Sequence, residues 1–275
     1  MARPLTVACL QTRPCPTAEE ALGEALGLAE QASTAGAQFL FLPEYCGGLK
    51  SEGAALVPPA FEEDVHPVLQ GLRRFARDHQ IWIMVGSIAV PAADGKIINR
   101  GFVLNPSGEI VSRYDKIHLF DIQISETEVY RESARVIAGD RISLVETAFG
   151  KIGHTICYDL RFGQLYRDLA LAGAEILCTP AAFLKKTGQA HWHVLNRARA
   201  IENGAFVISP CAIGPIPGGG ESYGHSVIIG PWGEVLADGG DQAGSVVMAE
   251  IDLDEVAVTR GKIPSLTHGR HYLTR

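Results

Sequence analysis

Short apolar runs recur along this chain, and the segments between them are of two kinds. The first is helical. "TVACLQT" (6–12) reads as a strand, and Thr17 with Glu20 forms a capping box for the helix that follows. That helix places Leu22, Leu26 and Ala29 on one face and ends near Gly36. "FLFLPE" (39–44) is a buried strand stopped by a charged residue, and a helix over 65–79 carries Leu69, Leu72, Phe75 and Ala76. The second kind is a tight turn. "IWIMVGSIAV" and "INRGFVLN" are strands, Asn105-Pro106-Ser107-Gly108 is a turn, and "EIVSRYDKIHL" completes a hairpin.

The second half repeats the mixture. "SLVETAFGKIGHTICYDL" supplies two strands across Phe149-Gly150. Helices over 162–173 and 188–203 flank the strand "EILCTPA", and "AFVISPCAI", "HSVIIGP", "EVLADG" and "VVMAEIDL" follow. "GPIPGGGES" (214–222) reads as a loop within a domain, and no internal repeat or linker is visible. The result is an α/β chain with mixed sheets. So many strands predict two sheets packed face to face with helices outside.

Composition narrows the function classes. Of the 275 residues, 47% are hydrophobic and 20% charged, a globular balance. No apolar run approaches the ~18 residues of a transmembrane helix. "MARPLTVACLQT" goes straight into strand-like alternation, which argues against a signal peptide. A net charge of −7 without a basic tract argues against nucleic acid or an anionic membrane as partner. The six cysteines (Cys9, Cys15, Cys46, Cys157, Cys178, Cys211) are scattered without a C-x-x-C, which points to reduced thiols in the cytoplasm.

Common motifs are missing. There is no P-loop, no G-x-G-x-x-G after a strand and no H-E-x-x-H. Gly224-His225-Ser226 lacks the second glycine of a serine elbow, because position 228 is Ile. His191 and His193 are two apart on a helix and do not share a face, which argues against a metal held by that pair.

Three reactive side chains stand where apolar strands end: Glu44, Lys116 and Cys157. Singly each has a structural reading: surface carboxylate, edge-strand charge, core filler. Together they make a thiol nucleophile, a carboxylate base and a fixed cation. The nearest histidine to Cys157 is His154, but an odd offset in a strand puts the two on opposite faces. A desolvated Glu44 could take the thiol proton and return it to a leaving amine. Lys116 and the backbone N–H of Tyr158 could hold an oxyanion.

In order and local sequence, "FLPEY", "RYDKIHLFD" and "ICYDLRF" resemble the Glu-Lys-Cys triad of the nitrilase superfamily of carbon–nitrogen hydrolases. "TGQAHWHVLNRARAIENGAFV" and "SYGHSVIIGPWGEVLA" resemble the C-terminal half of its Nit-type amidases, so the likeness spans the chain. The resemblance implies a four-layer αββα sandwich as one domain over residues 1–275. It implies Glu132, in "VYRES", as an assisting glutamate, with no metal or organic cofactor. The branch most resembled holds ω-amidases and deaminated glutathione amidases. This implies hydrolysis of small linear amides bearing carboxylates, through a Cys157 thioester, by a homodimer that extends the sandwich across its interface. Tyr45, Arg161, Phe183, Thr187 and His191 are the substrate-side candidates. Arg161 is read equally as a carboxylate ligand or a brace for the turn, Thr187 as a pocket hydroxyl or helix cap, and Asp159 as a support for that turn. An N-carbamoyl amide hydrolase or nitrilase is the alternative within the superfamily, and a non-catalytic binding protein is the alternative outside it. Gly163, Gln164, the loop 214–222 and Ser265-Leu266-Thr267 depart from the usual pattern, which leaves the substrate open.

Overall fold

Side-chain alternation decides the layers. In the strand Pro4–Gln11, Val7 and Cys9 point to one side and Ala8 and Leu10 to the other, and all four are buried. Such a strand needs cover on both faces. In the computed structural model, which describes residues 2–53 and 55–273, that cover is a second sheet on one side and helices on the other. Val7, Cys9, Phe39, Phe41 and Met84 meet Ile152, Ile176, Phe206 and Ile208 between the sheets. Ala8, Leu10, Leu40 and Leu42 meet helices α1 (Ala18–Thr34) and α2 (Pro67–His79). The outer face of the second sheet is covered by α3 (Gly163–Leu171) and α4 (Lys185–Asn203). A last helix, α5, spans Asp254–Lys262. The αββα sandwich is as expected, and no helix among the described residues is long and apolar enough to cross a membrane.

Edge to edge, the first sheet runs Ser245–Asp252, Pro4–Gln11, Phe39–Phe41, Trp82–Pro91, Ile97–Leu104, Ile110–Asp115. The second runs Ser143–Glu146, Lys151–His154, Ile176–Cys178, Phe206–Ser209, Val227–Ile229, Val235–Asp238. In both, successive neighbours pair antiparallel, parallel, parallel, antiparallel, antiparallel. One plan is thus used twice, without a repeat in the sequence.

Helix α1 begins as its capping box predicts, with the Thr17 hydroxyl accepting the Glu20 N–H at 3.2 Å. Helix α4 begins at Lys185, a turn earlier than its apolar periodicity suggests. The segment 214–222 departs from the loop reading. Ile213–Pro215 pairs antiparallel with Glu221–Tyr223, and Gly218, Gly219 and Gly220 turn the tip with positive φ. Ser51 pins that tip, its hydroxyl donating to Gly219 O at 2.7 Å. So few residues pair here that no alternation marks them.

Candidate active site

Three turns converge where strands of the two sheets end. After Phe39–Phe41 the chain passes Leu42 and Pro43 to Glu44. Gly86 makes room, because a Cβ there would collide with the carbonyl oxygens of Leu42 and Pro43. Lys116 directly follows the strand Ile110–Asp115, and its N–H donates to Asn99 O at 3.0 Å. Cys157 opens a 3-10 turn, Cys157–Arg161, three residues beyond the strand that ends at His154. Its N–H donates to Pro180 O at 2.9 Å.

Backbone strain marks two of these turns. Cys157 has φ +49° and Tyr45, next to Glu44, has φ +52°. For a residue with a side chain this costs about 1–3 kcal/mol and needs support from its surroundings. At Tyr45 the N–H donates to Ser87 Oγ at 2.9 Å. At Cys157 the support is Asp159, fully buried, whose carboxylate accepts from Ile156 N–H (2.8 Å), the Tyr114 hydroxyl (2.7 Å) and His118 N–H (3.0 Å).

Lys116 is buried between two carboxylates. Its ammonium lies 2.8 Å from Glu44 Oε1 and 3.0 and 2.9 Å from the two oxygens of Glu132. Burial alone would discharge Lys116, but Glu132 and Glu44 outweigh it and hold its pKa well above the ordinary value. Glu44 also accepts from Asn99 Nδ2 (2.9 Å) and from the Ala182 N–H (3.0 Å). Glu132 accepts the Phe120 N–H at 2.6 Å. Each carboxylate is thereby fixed by backbone as well as by Lys116. Burial first, then the negative charge of Glu44, pushes the Cys157 thiol well above its ordinary pKa, while Lys116 pulls it down. These opposing influences favour the thiol form of the sulphur, beside the side chain of Glu44.

His154 stands apart from this group. Its ring sits between the sheets with Nε2 3.4 Å from Gly86 O, and a Cβ at Gly101 would collide with it. Burial lowers its pKa to about 4, so it is neutral.

Glu44, Lys116, Glu132 and Cys157 open onto a cavity of about 560 Å³. Tyr45, Tyr158, Phe183 and Thr187 also line it. The Tyr45 hydroxyl donates to Glu132 at 3.4 Å, and the Thr187 hydroxyl turns back to Leu184 O at 3.2 Å, within the first turn of α4. Arg161 and His191 do not line the cavity. The Arg161 guanidinium stacks over Phe183 at 5.3 Å and Tyr158 at 5.8 Å and lies 3.3 Å from His191 Nδ1. It braces the aromatic wall from outside, through ring contacts. Besides Lys116, two cations line the cavity, Arg131 and Arg135, both exposed and neither ion-paired among the described residues. Sequence reasoning missed both, along with Asn99. A signal existed for Asn99, a polar residue inside an apolar strand. For the arginines nothing local distinguishes them from other surface arginines.

Residues 6–261 match the family model described as carbon-nitrogen hydrolase. The chain belongs to the carbon–nitrogen hydrolase family. This hydrolase is 38% identical over 275 residues to a deaminated glutathione amidase of Synechocystis sp., covering 97% of this chain and 98% of the relative. It is 34% identical over 264 residues to an omega-amidase of Bos taurus, covering 96% and 94%. The crystal structure of Saccharomyces cerevisiae Nit3, a member of branch 10 of the nitrilase superfamily, superposes with a TM-score of 0.85 at 26% identity, covering 98% of this chain and 97% of that one. The resemblance carried by the motifs thus holds, and the hydrolase is an enzyme of carbon–nitrogen bond cleavage.

Proposed function

We propose that the hydrolase cleaves small linear amides that carry a carboxylate, through a thioester on Cys157. The carrying observation is the ion-paired Glu44–Lys116–Glu132 array and the strained Cys157 on one cavity. Glu44 takes the thiol proton as sulphur attacks the amide carbon. One ammonium proton of Lys116 goes to Glu44, and the oxygens of Glu132 can share a second. The third is left, with the Tyr158 N–H at the start of its turn, for the oxyanion. Glu44 then returns the proton to nitrogen, the carbon–nitrogen bond breaks, and ammonia or an amine leaves. Water, deprotonated by Glu44, cleaves the thioester to a carboxylic acid and restores the thiol.

Arg131 and Arg135 support a substrate carboxylate, since guanidinium groups pair with carboxylates bidentately. Relatives named deaminated glutathione amidase and omega-amidase support the same class. The reading takes residues 1–275 as one catalytic domain. A homodimer is supported by exposed Leu171, Val194, Ile201 and Trp232 on and beside α3 and α4, and light scattering of the purified chain tests it. Six free cysteines fit the reducing cytoplasm.

The test is ammonia release from 2-oxoglutaramate, 2-oxosuccinamate and deaminated glutathione by wild type and Cys157→Ala, with mass spectrometry of the quenched enzyme. Turnover of at least one amide, an acyl adduct on Cys157, and loss of roughly 10⁴-fold or more in the variant are expected. Activity that survives Cys157→Ala removes the mechanism.

A further inference from the structure

We propose that His193, His225 and Asp238 form a binding site for a divalent transition-metal ion of the zinc class, far in sequence from the catalytic array. The three come from different elements: the middle of α4, the turn before Val227–Ile229, and the end of Val235–Asp238. Their donor atoms all lie within 4.8 Å of one another. His193 Nε2 is 2.8 Å from Asp238 Oδ2, and His225 Nδ1 is 3.0 Å from Oδ1. Two neutral imidazoles and one carboxylate carry a single negative charge. That nitrogen-and-oxygen set suits zinc and its neighbours and leaves a fourth position for water. Calcium and magnesium need more oxygens.

Two of the three ligands are held in place by neighbouring groups. The Gly240 N–H donates to Asp238 Oδ1 at 2.8 Å. His225 is anchored at both backbone groups: its N–H donates to Gly240 O (2.8 Å) and its carbonyl accepts the Trp192 indole N–H (2.7 Å). Its φ of +52° is left-handed, and Tyr223 stacks on its ring at 4.5 Å. A tetrahedral site sets its donors about 3.3 Å apart, so the widest gap closes by at most roughly 1.5 Å, within reach of part-exposed rings. Binding exchanges the two N–H···O contacts for metal–nitrogen bonds, and the displaced protons move to the far ring nitrogens. The pattern H-x-H argued against a metal because His191 cannot help His193; the partners come instead from a turn and a strand end of the second sheet. The ion would fasten α4, whose first turn lines the cavity through Leu184 and Thr187, to the edge of the second sheet.

The test uses the chelator-treated full chain in a Cys157→Ala background, so that no catalytic thiol competes. Zn(II) is titrated by calorimetry, Co(II) reports the ligands by its visible spectrum, and Tm is read with and without Zn(II). One ion per chain, a Co(II) spectrum without a thiolate charge-transfer band, and a raised Tm are expected. His193→Gln and Asp238→Asn, folded by circular dichroism, should lose more affinity than the about 10–100-fold that an outer partner costs, and the Tm shift with it. Unchanged binding in both variants, a thiolate band, or no binding by the parent at about 0.1 mM ion overturns the site.

Discussion

The two sheets share one strand order and divide the chemistry unequally. The first sheet sends ionised groups to the site: Glu44 after its third strand and Lys116 after its last. The second sends a neutral thiol and backbone. Cys157 follows its second strand, and the next turn both accepts the Cys157 N–H at Pro180 and donates the Ala182 N–H to Glu44. Neither half holds a working set. At the end of the last strand the contrast is sharpest: Lys116 follows Asp115 in one sheet, while in the other Asp238 gathers two histidines. Topology fixes where polar groups can emerge, and the residues placed there decide what each exit does.

The strongest way to break this division is Lys116→Met. It removes the cation that joins Glu44 to Glu132 and strands the buried carboxylate of Glu44 beside the part-buried one of Glu132, which costs about 3–5 kcal/mol of stability. The rate falls by roughly 10²–10³ or more through the lost oxyanion donor. Denaturant unfolding and steady-state kinetics read both, and near-normal turnover would remove Lys116 from the mechanism.

Next in size, Arg131→Ala and Arg135→Ala sharpen the contrast between reaction and recognition. Losing a charge-assisted hydrogen bond is worth about 1.5–3 kcal/mol, or roughly 10–100-fold in kcat/KM. That loss is expected for carboxylated amides and not for uncharged ones of equal length; equal losses on both would assign the arginines to the fold.

Gly101→Ala probes the seam between the halves. Its methyl would strike the His154 ring and cost about 1–3 kcal/mol. His154→Ala should absorb part of that cost, so a double-mutant cycle reads the coupling directly.

A further probe, in pH and not in sequence, is a stability slope shared by both halves. His154 and His66 are each lowered by burial from the ordinary 6.5 to about 4. Between those values the unfolded chain binds more protons than the folded one. Their stabilising effect is complete above pH 6.5 and is lost as pH falls toward about 4. Tm measured across this window should decline, and replacing either histidine with Gln should flatten the decline. An unchanged slope would show the ring is not held neutral.

Much of this was legible in the sequence because apolar runs end abruptly at Glu44, Lys116 and Cys157, and strand ends are where a layered fold exposes side chains. The exits were longer than the runs suggested: the strand before Glu44 stops at Phe41, and the one before Cys157 stops at His154. Turns with positive φ at Tyr45 and Cys157 carry no composition signal, since neither is a glycine. The Ala182 N–H was illegible because a backbone donor has no side-chain identity. His193, His225 and Asp238 were illegible as a set because His193 reaches the hairpin of Val227–Ile229 and Val235–Asp238 only when α4 packs on the sheet, a tertiary event.

The apolar layer between the sheets has a consequence for rate. Glu44 follows a strand of one sheet and Cys157 a strand of the other, and Phe41, Met84, Ile176 and Phe206 pack between those sheets, so the separation of the two side chains depends on how closely the sheets stack. Trimming one of these side chains is expected to shift that separation while leaving every atom of the cavity wall chemically intact, so a change in turnover would trace to residues that never meet the substrate.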